Sequence, residues 1–86
     1  MYQYTIQIQQ KNAVPFCVNT YDYLDVTLNR LQELINKDKH YNRTFFVNND
    51  FFKNESSLSF AQNKYEILCR EVGEWRHFNN IDFFIK

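Results

Sequence analysis

Residues 24–35, LDVTLNRLQELI, constrain this chain more than any other stretch. Leu24, Leu28, Leu31 and Ile35 recur at spacings of four, three and four. At about 100° per residue these side chains fall in one arc, the stripe of an amphipathic helix, while Asp25, Asn29, Arg30, Glu33 and Asn36 point elsewhere. Burying the stripe is worth roughly 6–12 kcal/mol as an upper bound. A helix with one apolar face needs a second layer to cover it. The rest of the chain is therefore expected to supply a sheet.

Residues 2–9 read as its clearest strand. Tyr2, Tyr4, Ile6 and Ile8 share one face, and Gln3, Thr5, Gln7 and Gln9 share the other. Gln10-Lys11-Asn12 is the turn, and residues 14–18 return as a second strand, giving an opening hairpin. Pro15 cannot donate a ladder hydrogen bond, which puts that strand at an edge or gives it a bulge. Asp22 is the expected N-cap of the helix, with Tyr21 and Val26 as a hydrophobic staple. Asp25 in the first turn and Lys37 in the last suit the helix dipole. Residues 37–43 then read as a polar connection, the most basic part of the chain.

Beyond it, residues 44–47 and 51–53 flank Asn48-Asn49-Asp50. With one glycine in the chain, Asn and Asp are the residues best able to take positive φ, so this is an expected hairpin. Residues 54–57 form a loop. Residues 58–72 carry two patterns. Leu58, Ala61, Tyr65, Leu68 and Val72 keep helical spacing. Ser59 and Gln62 form a capping-box pair, Glu66 precedes Arg70 by four, and Gly73 stands at a C-terminal αL position. As a strand, Tyr65, Ile67 and Cys69 would alternate inward instead. Start, stop and period signals favour the helix. Residues 75–78 and 81–85 then close the chain as a hairpin around Asn79-Asn80.

The expected order is β-β-α-β-β-α-β-β: one compact α+β domain over residues 1–86, two helices on one face of a mainly antiparallel sheet. If residues 58–72 are loop plus strand, residues 2–70 read hairpin, helix, strand, short strand, strand. In element order and apolar pattern this resembles the β-grasp arrangement of ubiquitin-like domains, with one main helix. The likeness includes no functional motif, and the chain has no terminal di-glycine, so it implies a fold and no activity.

Composition excludes several roles. Ten basic and ten acidic side chains cancel, so no global field draws nucleic acid or anionic lipid. No apolar run approaches the roughly 20 residues of a membrane span, and the first ten residues lack the pattern of a signal peptide. Two cysteines are too few for a disulfide scaffold, so a reducing, cytoplasmic setting is expected. Asn42-Arg43-Thr44 and Asn54-Glu55-Ser56 match the glycosylation pattern by chance in an Asn-rich chain. Cys17, His40, Cys69 and His77 lack the close ligand pairs of a zinc site, so no metal or other cofactor is expected. Both thiols read as inert core residues rather than nucleophiles. Asp22 and Asp25 are explained by capping, and a single glycine rules out a glycine-rich phosphate loop. No catalytic residue is assigned and an enzyme is not expected; a small Cys/His-dependent enzyme is the remotest alternative.

Nine Phe, six Tyr and one Trp remain to be explained beside eleven Asn. Coding bias in an AT-rich bacterium, phage or mobile element accounts for part of this. A recognition surface accounts for it too, because aromatics are enriched at interface cores. Two aromatic–basic clusters are the partner-binding candidates: Tyr41, Arg43 and Phe45 in the first, Arg76 and Phe78 in the second. Trp75 is assigned to the core. The expectation is a non-catalytic binding or inhibitor protein acting on another protein, such as a host defence enzyme, with pairing of two copies through a sheet edge as a related form. The alternative is single-stranded nucleic-acid binding, for which Lys37, Lys39, Arg43 and Arg76 would converge on one face.

Overall fold

Strand β1 (Gln3–Gln10) is central in the sheet: Ile6 and Ile8 are buried on the expected side, while Thr5, expected on the wet face, is 1% exposed. The computed structural model describes residues 2–47, 61–71 and 73–78. After β1 come β2 (Phe16–Cys17), α1 (Leu24–His40), β3 (Phe45–Val47), β4 (Asn63–Arg70) and β5 (Arg76–His77). The sheet runs β2-β1-β4-β3, with β5 also paired to β4. It is mixed: β3 lies parallel to β4 and the other pairs are antiparallel. The molecule is thus a small α+β domain with one described helix.

β2 is the edge strand that Pro15 requires, and it is bulged. Gln7 faces Cys17, while Tyr4 faces Tyr21 in an isolated bridge. Between these points β1 advances by three residues (4 to 7) and its partner by four (17 to 21), so one extra residue is accommodated at 18–20. The Thr5 hydroxyl spans that irregularity, donating to the carbonyls of Val18 at 3.0 Å and Asn19 at 3.2 Å. The preceding turn closes through Ala13 N–H to the Gln10 carbonyl, with Asn12 at φ 62°. Asparagine takes the left-handed conformation that glycine would supply elsewhere.

Helix α1 buries Leu28, Leu31 and Ile35 against Ile6, Ile8, Val47, Tyr65 and Ile67, and Leu24 packs at the margin. Its start differs from expectation. Tyr23, not Asp22, is the N-cap residue, and no side chain caps it. The Thr27 hydroxyl instead donates to the Tyr23 carbonyl at 2.9 Å. The staple is absent as well: Tyr21 exchanges backbone hydrogen bonds with Tyr4, and Val26 is exposed. Sheet pairing of Tyr21 therefore sets where the chain may turn into the helix. The end differs too, since the helix runs through residues expected to be a connection and stops at His40.

The largest correction concerns residues 58–72. Among those described, Asn63–Arg70 is a strand that pairs with all eight residues of β1, from Gln3 opposite Arg70 to Gln10 opposite Asn63. Tyr65 and Ile67 point to the helix and are buried. The helical spacing was a coincidence of apolar positions. On its other side β1 has, among the described residues, the two-residue β2 and the Tyr4–Tyr21 bridge, so a helix here would strip most of its ladder, and buried backbone groups must be paired. Gly73 does take positive φ, at 97°, but it lies between β4 and β5 rather than after a helix. Residues 44–47 likewise do not begin a hairpin with a neighbour in sequence: β3 pairs with β4. Residues 48–62 connect these two parallel strands, and parallel neighbours need a connection of a dozen or more residues. The expected strand at 51–53, the turn at 48–50, Ser59 and the strand at 81–85 lie outside the described residues. Over residues 2–70 the described order follows the one-helix alternative, with a mixed sheet.

Candidate functional site

The apolar stripe of α1 does not stop at Ile35. Its next position, three residues on, is Asp38, which is 1% exposed. A carboxylate on the buried face of a helix needs partners, and it has three. Arg43 Nε and Asn63 Nδ2 donate to Oδ1 at 2.9 and 3.0 Å, and the Tyr65 hydroxyl donates to Oδ2 at 2.5 Å. These residues come from the helix end, the start of β4 and its third residue.

The helix terminus explains how Arg43 reaches back. Asn42 adopts φ 55° just after the C-cap Tyr41. Its N–H donates to the Lys39 carbonyl at 3.2 Å, and the next N–H, of Arg43, donates to the Asp38 carbonyl at 2.8 Å. This is a Schellman turn with asparagine in the left-handed position. Such turns usually bring two apolar side chains together across the helix end. Here the two positions hold Asp38 and Arg43, so an ion pair occupies the place of that contact. The Arg43 guanidinium also lies over the Tyr41 ring, 4.9 Å from its centre.

Burial holds the Tyr65 phenol well above its ordinary pKa, with the hydrogen bond to Asp38 and the carboxylate's charge acting in the same sense; Arg43 and Asn63 oppose it. Tyr65 is thus a proton donor to Asp38. A phenol whose folded pKa lies above its unfolded value near 10 contributes stability that is complete below about pH 10 and is lost as pH rises further. The urea midpoint should therefore carry an alkaline decline above about pH 10 that Tyr65→Phe removes. Parallel declines of the two proteins to pH 11 would refute this assignment.

Beside the cluster a cleft of about 320 Å³ opens between the helix and the β1–β2 end of the sheet. Ile8, Phe16 and Leu34 form its apolar side, and Lys37, Asp38, Arg43, Asn63 and Tyr65 its polar side. Phe16, in its lining, is 48% exposed. The concave surface is small but has both characters that ligand sites combine.

The candidates named from sequence fall at two separate places. Tyr41 is exposed at the helix end, Arg43 is tied to Asp38, and Phe45 packs at the edge of the core. Arg76 is exposed on β5, and Phe78 packs on the core with its ring edge-on to Tyr4. Phe45 pairs with Asn63 and Arg76 with Cys69, six residues further along β4, which is about 20 Å. One surface does not gather both clusters. Trp75, assigned to the core, is half-buried outside it, with Arg70 over its ring at 4.2 Å.

Neither thiol is a buried core residue: Cys17 is exposed and Cys69 intermediate. Cys17 lies three strands from His77, about 14 Å across the sheet. Cys69 neighbours Leu68, the residue opposite His77, so it points to the other face. His77 instead pairs with Glu66, on the face that Leu68 shares. Among the described residues no three His, Cys, Asp or Glu side chains come together as metal ligands. Nor is any helix among them long and apolar enough to cross a membrane.

Sequence reasoning missed Asp38, Asn63 and Tyr65 as a unit. One signal was available: Asp38 continues the 24-28-31-35 stripe at the helical interval, and a carboxylate in line with buried leucines marks a partnered site.

No family model, curated protein or solved structure matches this chain. Its function has to be argued from the cleft itself.

Proposed function

We propose that this is a non-catalytic protein-binding domain that grips its partner in the cleft between the C-terminal half of α1 and the β1–β2 end of the sheet. The observation carrying this reading is that cleft's composition: apolar Ile8, Phe16 and Leu34 facing Lys37 and Arg43, next to a fully partnered buried carboxylate. Phe16 is half-exposed, so the apolar side is open to a partner's side chain, and aromatics are enriched at interface cores.

Side chains rather than strand addition carry the recognition. Val18 gives its N–H to Ile6 on β1. By antiparallel alternation Phe16 also turns inward, and Cys17 and Pro15 turn their backbone outward. No described strand covers the outer edge of β2, and because Pro15 has no N–H that edge offers a partner strand one donor, that of Cys17, over residues 15–17. Proline blunts the edge.

Single-stranded nucleic acid is the weaker reading. Lys37, Lys39 and Arg43 sit at the helix end while Arg76 lies at the far end of β4, so the four cations do not make one track. A cytoplasmic inhibitor encoded by a phage or mobile element is the biological setting we infer from composition.

A photo-crosslinking residue at position 16, introduced in the native host, tests the reading against the same residue at Asn29 on the outer helix face. Position 16 should yield an adduct with one other protein, and position 29 none. Nucleic acid as the crosslinked species would overturn the proposal, and so would equal labelling from both positions. An adduct with a second copy alone would support protein binding in its self-associating form.

A further inference from the structure

The same cleft carries a more specific claim, which rests on the protein-binding reading. We infer that its occupant is the C-terminus of a partner chain, held by its free α-carboxylate and by an apolar last side chain.

The cations supply the first argument. Lys37 makes no ion pair among the described residues. Arg43 commits Nε and its backbone N–H to Asp38 and lays its face on Tyr41, while its terminal Nη groups donate to no described residue. Lys37, Arg43 and Asp38 together carry one net positive charge, the complement of one carboxylate. A phosphate dianion would leave one negative charge uncompensated beside Asp38. The carbonyls nearest the cleft are occupied, with Tyr41 N–H on Lys37 and Arg43 N–H on Asp38, which leaves the cationic donors, with the Gln10 amide beside them, as the outward polar character.

Size and backbone supply the second. About 320 Å³ stands at the lower end for ligand sites, room for one large residue rather than a segment. An internal acidic residue would need a neighbouring residue to fill the apolar side, but at a chain end one residue carries both groups. The blunted β2 edge offers no ladder along which an internal extended segment could lie. Arg43 is already fixed by the Schellman turn and Asp38, so a ligand immobilises little on binding.

The test is a 15N–1H correlation titration of the intact protein with N-acetylated Gly-Ser-Gly-Ser-Phe as free acid, with the same peptide as C-terminal amide, and with inorganic phosphate. The free acid should shift the amides of Phe16, Lys37 and Arg43 saturably. Amidation should weaken binding at least tenfold, and Lys37→Gln, at an exposed position whose spectrum reports its folding, at least fivefold. Equal binding of acid and amide would overturn the claim, as would tighter binding of phosphate, or free acid leaving the cleft amides unmoved at millimolar peptide. Those failures with the position-16 adduct intact would remove the chain-end claim alone. Loss of the adduct as well would remove the parent reading.

Discussion

Replacing Asp38 by alanine is expected to cost about 3–5 kcal/mol, the loss found when one partner of a buried ion pair is removed. The mechanism is what remains behind. The Tyr65 hydroxyl sits on a side chain 3% exposed and loses the acceptor it donates to. The Asn63 amide loses its acceptor too, while Arg43, a third exposed, recovers part of its hydration; the lower half of the range is therefore favoured. For a domain of this size each kcal/mol moves Tm by about 4–8 °C, so a loss of about 3–4 kcal/mol lowers it by roughly 12–32 °C. Small domains have only about 5–15 kcal/mol in hand, which makes this change nearly unfolding. Asp38→Leu combined with Tyr65→Phe separates an unsatisfied-group penalty from the worth of the bonds themselves. Removing both sides leaves fewer orphaned groups, so the double variant should be more stable than Asp38→Ala. Urea denaturation of the wild type, Asp38→Ala, the double variant and its two singles measures it, and a double-variant loss equal to the sum of the two single losses would show that the cluster is not coupled.

The second large effect belongs to the helix stripe. Leu31 is fully buried, between Leu28 and Ile35 on the helix and the sheet's Ile6, Ile67 and neighbours. Leu31→Ala removes apolar atoms and leaves a cavity that a close-packed interior fills only in part, so about 3–5 kcal/mol should be lost. Val26→Ala on the same helix is the control, because Val26 is exposed and a surface change should stay within about 0.5 kcal/mol. Urea midpoints with unchanged m-values would attribute both results to the native state. Comparable losses at the two positions would mean that α1 does not dock by this face.

Both effects follow from one helix, yet they were not equally readable. The strength of the Leu24-Leu28-Leu31-Ile35 repeat made helix, buried face and underlying sheet a matter of local periodicity. Period-two alternation in residues 3–10 and the missing N–H of Pro15 did the same for the central strand and its blunted edge. These are properties that a short segment carries by itself, whatever its neighbours do. Residues 63–70 held apolar side chains compatible with either period. Their choice was made by β1, whose eight residues needed a ladder partner. The parallel placement of β3 was likewise a matter of which edge of β4 lay open.

The cleft shows the same division more sharply. Its cations, Lys37 and Arg43, stood out in the sequence as part of a basic stretch after the stripe. That Asp38 faces inward was implicit in its spacing. Its partners, Asn63 and Tyr65, are 25 and 27 residues away, and no local pattern encodes such a distance. Periodicity along one segment determined which faces are apolar; the pairing of β4 with β1 decided which polar groups those faces meet. A buried carboxylate finds its donors only after the chain has closed, because desolvation, the force that demands them, does not exist until then.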